Sequence, residues 1–219
     1  MVDFHLDAIT PACQRCLIFL NSQEFIRNYY LAGGTALALQ IGHRISTDLD
    51  WFSVSQPLLF PERETISRIL SGNSEFEIVS EQDGLLFSRL FQTDVSFIYQ
   101  HHPLVEKTVD FQGVQLASVV DIGLMKLAAI NSRGSRRDFI DLYCLRDNVS
   151  LERLLELAPG KYYDRPSFLS VTARALAYFD DAEAQPMPEM LISIQWSDVR
   201  IYCEVASRKL TRRLSGLDA

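Results

Sequence analysis

The sequence predicts an α+β fold, in which a mixed β-sheet with flanking helices is followed by a helical C-terminal region. Three observations lead to this prediction. Short segments with strand periodicity occur before about residue 115, and helical periodicity continues from Ser118 to the end of the chain. A third is that the 219 residues are 47% hydrophobic and 22% charged, which is typical of a folded protein with a buried core. We therefore predict an α/β core over residues 1–115 and a helical region over residues 116–219.

The composition limits the partners and the compartment of the protein. With 21 Lys+Arg against 28 Asp+Glu the net charge is −7, so any contact with RNA must be local. The basic run at 208–213 is expected to be a solvated helix face, which is the alternative interpretation of the run at 133–137. Four scattered cysteines suggest reduced thiols, and neither a signal peptide nor a membrane-spanning segment is found. We expect a cytoplasmic protein without a membrane partner.

The first elements lead to a glycine pair. Residues 10–26 have apolar residues at helical spacing after Pro11 and predict a leading helix. A short apolar strand over residues 29–32 then ends at Gly33 and Gly34, and a helix-forming segment follows to Gln40. Glycines at a helix N-terminus expose backbone N–H groups that favour an anion, so phosphate is expected to bind here.

Two alternating carboxylates follow this helix. In the segment Ser46 to Phe52 the strand period places Asp48 and Asp50 on one face, opposite Leu49 and Trp51. Neighbouring carboxylates repel each other unless a cation neutralises them, and Mg²⁺ prefers such oxygen ligands together with substrate phosphates. The alternative is an exposed edge strand on which water screens the pair.

The remaining elements follow in two groups. Pro61 to Leu70 predicts a helix that stops at Gly72. Three strands are then expected, and Asp94 lies at the start of the third. Asp94 is either a functional residue or a cap of the strand. The strands are predicted at 76–80, 85–91 and 95–99. C-terminal helices are predicted at 118–134, 151–157, 166–179 and 188–209, with a loop at 182–188.

The first helices of the C-terminal region carry charged residues at helical spacing. Lys126, Arg133 and Arg137 could line one side of a helix, together with Ile130. In the next segment Asp138 and Asp141 lie three residues apart on one helical face. A solvated face is the alternative interpretation of the basic residues.

Two blocks of the chain resemble a known family. The nucleotidyltransferase superfamily has a strand, Gly-Gly or Gly-Ser, a short helix, and a strand with Asp-x-Asp. More narrowly, GGTALALQIGHRISTDLDWF resembles the AbiEii/AbiGii-type nucleotidyltransferase toxins, because Gly-Gly-Thr, Arg-x-Ser and Asp-x-Asp occur in order. The second block, Lys126 to Ala129, Arg133, and Arg137 to Leu142, is similar to the family's Lys-x-x-Ala and Arg/Lys-Asp-x-x-Asp-Leu elements.

The resemblance implies a nucleotidyltransferase-like sheet and the transfer of a nucleoside monophosphate from an NTP to an acceptor. Two Mg²⁺ ions would be held by Asp48 and Asp50, with Asp94 as third ligand and general-base candidate. Lys126 would neutralise phosphate charge, and Asp138 and Asp141 would either be catalytic or hold Lys126 and Arg133 in place. The residues expected to bind the nucleotide are Gly33, Gly34, Thr35, Arg44, Ser46 and Arg133.

The resemblance also implies partners, and three alternative functions stay open. In the family, transfer to the acceptor end of tRNA is one described activity, and a cognate antitoxin is encoded nearby, so a toxin–antitoxin or phage-defence role is expected. The helical region would then contribute to the active-site cleft. The alternatives are a small-molecule nucleotidyltransferase of the aminoglycoside-modifying type, a nucleotide-binding module without turnover, and a structural αβ domain. Intact Asp48, Asp50 and Lys126 argue against a module without turnover.

Overall fold

The computed structural model of the chain describes residues 4–216. The chain divides into two compact units between Ser118 and Val119. The first unit contains a mixed sheet with helices and the second is helical, so the predicted α+β fold is confirmed.

The first unit is built around a seven-stranded sheet. Its helices are α1 (Pro11–Asn21), α2 (Gly33–Ile41) and α3 (Phe60–Leu70). Its strands are β1 (Tyr30–Ala32), β2 (Leu49–Ser53), β3 (Phe76–Gln82), β4 (Leu85–Leu90), β5 (Thr93–Tyr99), β6 (Val109–Phe111) and β7 (Val114–Leu116). Short 3-10 helices occur at Leu6–Ala8 and Glu24–Asn28.

Strand β2 lies at the centre of the sheet, whose order is β3-β4-β5-β2-β1-β7-β6. It pairs in parallel with β5 and antiparallel with β1. Along β2 the residues Leu49, Trp51 and Ser53 are buried, while Asp50 and Phe52 are half-buried. The expected alternation is confirmed, and because β2 is central the Asp-x-Asp segment does not lie on an edge strand.

Two features of the first unit differ from the prediction. The leading helix ends at Asn21 rather than at residue 26, because the Ser22 hydroxyl donates to the Phe19 carbonyl (2.7 Å) and Gln23 is extended. The β6–β7 hairpin was not predicted. Its strands have three residues each, too few to show a period, and its turn places Gln112 and Gly113 at positive φ (53° and 86°).

The second unit is a set of packed helices. They are α4 (Val119–Ser132), α5 (Arg136–Cys144), α6 (Leu151–Lys161), α7 (Phe168–Ala175), α8 (Asp180–Glu183) and α9 (Trp196–Leu214), with a 3-10 turn at Leu145–Asp147. Helices α4 and α6 approach closely at Gly123, where a Cβ atom would lie 2.7 Å from Leu154 Cδ1. The unit also buries an ion pair between Lys161 Nζ and Asp121 Oδ1 (2.8 Å).

The last helix starts later than predicted. Residues 188–195 are not helical, and α9 begins at Trp196, whose ring contacts Phe139 and Phe179 edge to face. This aromatic contact is tertiary, so the local pattern that suggested a start at Pro188 could not reveal it. Helix α7 likewise begins after Pro166, at Phe168, and ends at Ala175.

The described residues include no helix that is both long enough and apolar enough to cross a lipid bilayer. The four cysteines are free and buried, as predicted for reduced structural thiols. Burial raises the pKa of Cys13 to about 12 and that of Cys203 to about 12, so both thiols are protonated and unreactive at neutral pH.

Candidate active site

The connection between β1 and α2 places a carboxylate directly on a glycine. Gly33 begins α2 with φ +70°, a backbone conformation that L side chains rarely adopt. A Cβ atom at this position would lie 2.6 Å from Asp50 Oδ2. The sheet register explains the approach, because Ala32 on β1 pairs with Asp50 on β2. Gly33 is thus required both by the turn and by the Asp50 carboxylate beside it.

The next glycine lies against a buried cation. A Cβ atom at Gly34 would clash with a guanidinium nitrogen of Arg44, a residue that is only 3% exposed. Arg44 donates to the Ile45 carbonyl (3.1 Å) and to Ser46 Oγ (3.4 Å). The first turn of α2 therefore combines its own free N–H groups with an adjacent buried positive charge, which favours an anionic ligand.

Two buried hydroxyls connect α2 to the carboxylate segment. The Thr35 hydroxyl is hydrogen-bonded to Ser46 Oγ (2.8 Å) and to the Asp48 backbone carbonyl. Both side chains are at most 5% exposed. Thr35 and Ser46 thus fix the chain that leads into β2, and their predicted contact with a nucleotide stays a prediction.

Two of the three predicted metal ligands, Asp50 and Asp94, lie on the adjacent parallel strands β2 and β5, whereas Asp48 precedes β2, which begins at Leu49 rather than at Ser46. Asp50 on β2 pairs with Ser96 on β5, so Asp94, two residues earlier, projects from the same face of the sheet. Asp48 accepts a hydrogen bond from Thr47 Oγ1 (2.9 Å), and Asp94 pairs with Arg89 on β4 (Oδ1 to Nε, 3.0 Å). Within the described residues, the three carboxylates do not all lie within 4.8 Å of one another.

This donor set consists of carboxylate oxygens only, which fits a hard divalent cation. Asp50 lies against the glycine turn, whereas Asp94 is engaged by Arg89. The use of Asp94 as a third ligand therefore stays a prediction that requires its side chain to leave Arg89.

In the second unit, a lysine is held between two aspartates. Lys126 Nζ lies 3.0 Å from Asp138 Oδ1 and 2.6 Å from Asp141 Oδ2. The Lys126 side chain is 7% exposed and both carboxylates are almost completely buried. Lys126 is therefore not the solvated helix lysine of the alternative interpretation.

Asp138 is the centre of this network. Arg133 donates to it through Nε (2.9 Å) and a terminal nitrogen (3.2 Å), and Ser135 donates through Oγ (2.7 Å). Burial by itself would raise the pKa of Asp138, but Lys126, Arg133 and Ser135 outweigh it and hold the pKa well below its ordinary value. Asp138 is thus a permanent carboxylate that positions Lys126 and Arg133.

One expectation about this unit is wrong. The row of Lys126, Ile130, Arg133 and Arg137 on one helix does not form, because α4 ends at Ser132 and Arg137 belongs to α5. Arg133 pairs with Asp138 of α5. Ser135 was not singled out, although its place before α5 and three residues before an acid was a usable signal.

The sequence is similar to those of known proteins. A sequence model described as the nucleotidyl transferase AbiEii toxin of type IV toxin–antitoxin systems matches residues 18–207. An uncharacterized protein of Aquifex aeolicus is 34% identical over 181 residues, which cover 78% of this chain and 82% of that protein.

Two solved structures share the fold. The nucleotidyltransferase toxin MenT4 of Mycobacterium tuberculosis is 16% identical, with a TM-score of 0.55 over 92% of this chain and 86% of that one. The antibiotic-resistance factor ANT(2'')-Ia is 15% identical, with a TM-score of 0.53 over 74% of this chain and 97% of that one. Because the family model spans most of the sequence and includes both the glycine turn and the Lys126 network, the chain belongs to the AbiEii nucleotidyltransferase toxin family and is a nucleotidyltransferase.

Proposed function

We propose that this nucleotidyltransferase transfers a nucleoside monophosphate from an NTP to the acceptor end of tRNA, with Mg²⁺ as cofactor. We further propose that it acts as the toxin of a toxin–antitoxin or phage-defence system and is restrained by a cognate antitoxin. Membership of the AbiEii toxin family supports this biological setting.

One observation carries the proposal. At the start of α2 the Asp50 carboxylate lies against Gly33 and the Arg44 guanidinium lies against Gly34. A triphosphate with a bound cation needs this combination of backbone donors, a fixed positive charge and a carboxylate. Gly33, Gly34 and Arg44 are therefore assigned to binding the phosphates.

The carboxylates are assigned to the metal. Asp48 and Asp50 would hold Mg²⁺, with Asp94 as an additional ligand. When bound, the metal supplies positive charge that offsets the negative charge developing on the phosphates. Asp50 is preorganised for this role by its position on the central strand β2 and by its contact with Gly33.

The Lys126 network is assigned to charge neutralisation. Phosphoryl transfer depends on positioned positive charges, and Lys126 and Arg133 are held in place by Asp138 and Asp141. In this assignment Lys126 and Arg133 act on the phosphates, whereas Asp138 and Asp141 are positioning residues.

The test is nucleotide transfer by the purified protein. It is incubated with Mg²⁺, total tRNA and each α-³²P-labelled NTP in turn. We expect label in RNA with one or more of the nucleotides, and no label after Asp48→Ala/Asp50→Ala. The matched control is Asp7→Ala/Glu77→Ala, which removes two exposed carboxylates of the same unit and is expected to leave labelling unchanged.

Absence of label from RNA, together with NTP binding that requires Asp48 and Asp50, would rule out tRNA as the acceptor. Equal loss of labelling in the Asp7/Glu77 control would instead point to a nonspecific effect of removed charge. Omission of Mg²⁺ with added chelator should abolish labelling, and unchanged labelling would contradict the metal assignment.

A second candidate acceptor is a cationic small molecule such as an aminoglycoside. Residues 1–118 contain 7 Lys+Arg and 14 Asp+Glu, so the whole net charge of −7 belongs to the unit with the candidate site. An acidic unit would favour a polycationic substrate. Adding an aminoglycoside to the same assay distinguishes the two, because label would then appear in the drug and not in RNA.

A further inference from the structure

The helical unit contains a groove, and Arg133 is the one proposed site residue among those that line it. It has a volume of about 550 Å³ and lies between the C-terminal end of α4 and the segment from α7 to Tyr178. Ligand sites commonly have volumes of roughly 300 to 1,000 Å³. The groove is therefore large enough for a nucleotide unit of a longer chain.

Two arginines line opposite walls of this groove. Arg133 follows α4 and is anchored to Asp138, while 67% of its side chain remains exposed. Arg174 lies on α7 and is exposed, and its side chain makes no hydrogen bond or ion pair with any residue in the range 4–216. Both guanidinium groups carry a permanent charge, and arginine is well suited to phosphate.

The groove also offers an aromatic surface. Tyr178 lines it and is 52% exposed. Unpaired bases stack on exposed aromatic rings, and this contact tolerates any base. Asp181 is the acidic residue of the lining; its carboxylate can accept a hydrogen bond from a ribose hydroxyl or a base amino group.

The distribution of charge along the chain agrees with a nucleic-acid ligand for this unit. Residues 119–219 contain 14 Lys+Arg and 14 Asp+Glu, so this half of the chain lacks the acidic excess of residues 1–118. Of the two arginines in the lining, Arg133 is paired with Asp138, so Arg174 is the side chain that can supply a cationic contact to an RNA phosphate.

We propose that the groove between α4 and α7 binds the single-stranded end of the RNA acceptor, with Arg174 on a phosphate and Tyr178 stacked on an unpaired base. This inference rests on the proposed RNA acceptor and adds the place where that acceptor is bound. Arg174 and Tyr178 are then specificity determinants for a polynucleotide over a small cationic acceptor.

The test measures binding of a fluorescein-labelled single-stranded RNA of about ten nucleotides, a length within the usual range for single-strand sites. Arg174→Gln is compared with Arg212→Gln, an exposed arginine of α9 that does not line the groove. We expect Arg174→Gln to weaken binding about fivefold and to reduce the slope of log K against log salt by about 0.7, as loss of one phosphate contact does. Arg212→Gln should change neither quantity.

The role of Tyr178 is tested with a disruptive substitution and a conservative control substitution. Tyr178→Ala should weaken RNA binding about tenfold because the stacking surface is lost, whereas Tyr178→Phe should bind like the unchanged protein. Circular dichroism of each variant checks that the helical unit is folded. Equal affinities for the Arg174→Gln and Arg212→Gln variants would overturn the proposal, and so would an unchanged protein that does not bind the RNA.

The design separates this inference from the proposed transfer reaction. The Asp48→Ala/Asp50→Ala variant should bind the RNA with unchanged affinity while transferring no label. If the unchanged protein binds RNA through Arg174 but transfers no label to it, the proposed transfer to RNA is excluded and the proposed RNA-binding groove is supported. If it labels RNA while Arg174→Gln and Tyr178→Ala change neither binding nor labelling, the proposed RNA-binding groove is excluded and the proposed transfer reaction is supported.

Discussion

Single residues at the start of α2 determine whether the candidate site can form. Gly33 and Gly34 have no Cβ atom, and the space that a Cβ would occupy is taken by Asp50 and Arg44. The two glycines therefore do more than permit a turn. They allow a carboxylate and a guanidinium group to approach the backbone N–H groups that are proposed to bind phosphate.

Gly34→Ala is expected to abolish nucleotide transfer and to weaken NTP binding at least tenfold, because the new methyl group displaces the Arg44 guanidinium. The control is Gly160→Ala on α6, where nothing lies within 4 Å of the added Cβ. That variant should keep full NTP binding and should be stabilised by up to about 1 kcal/mol through helix propensity. NTP binding by Gly34→Ala at the unchanged affinity would contradict the assignment of Arg44.

Asp138→Asn is expected to destabilise the helical unit by roughly 3 kcal/mol, since removal of one partner leaves buried charge uncompensated. Unfolding in urea is followed by the fluorescence of Trp196 in a Trp51→Phe background, which leaves one tryptophan in the chain. Asp147→Asn, an exposed acid between α5 and α6, serves as the control and should have little effect. Equal stabilities of the two variants would exclude the central role of Asp138.

At the scale of secondary-structure elements, close packing of α4 and α6 depends on the absence of a side chain at Gly123. The added Cβ of Gly123→Ala would lie 2.7 Å from Leu154 Cδ1 and 3.0 Å from Cδ2. Helix α4 also carries Asp121, which pairs with Lys161 of α6, so the packing of the two helices affects this buried ion pair.

We expect Gly123→Ala to destabilise the protein by about 1 to 3 kcal/mol through overpacking, and Leu154→Ala to do so by about 2 to 5 kcal/mol through a cavity. The double variant should be more stable than the sum of the single effects predicts, because the alanine methyl group occupies part of the space vacated by Leu154. Urea denaturation of the four proteins measures this coupling. Strict additivity would show that the two positions are not in contact.

For the whole molecule, the unfolding free energy is expected to depend on pH through Asp138. Its pKa in the folded state is lowered from the ordinary value, so the unfolded state binds more protons as the pH falls. The stabilisation is fully present above the unfolded pKa of about 4 and is lost as the pH decreases towards the folded pKa.

The corresponding measurement compares the unchanged protein with Asp138→Asn between neutral pH and about pH 3, a range that includes the unfolded pKa. The difference in unfolding free energy should be constant at neutral pH and should shrink below about pH 4. A difference that stays constant over the whole range would show that Asp138 does not have a lowered pKa.

Much of the fold and part of the candidate site followed from local pattern. The β1–α2–β2 order, the alternation along β2 and the start of α2 at the glycines were predicted, because periodicity and backbone preference are local properties. The short β6–β7 hairpin and the start of α9 at Trp196 were not, since the first has too few residues to show a period and the second is fixed by Phe139 and Phe179.

The sequence by itself determined the α+β class, the glycine turn, the Asp-x-Asp segment and the family, since these depend on residue type and spacing. The tertiary structure alone decided where the charged side chains lie. Arg44 lies against Gly34, Asp50 lies against Gly33, and Lys126 lies between Asp138 and Asp141. Spacing along one helix suggested a row of Lys126, Arg133 and Arg137 that α4 is too short to form. Charge pairs between segments depend on the path of the chain in space, which no local pattern specifies.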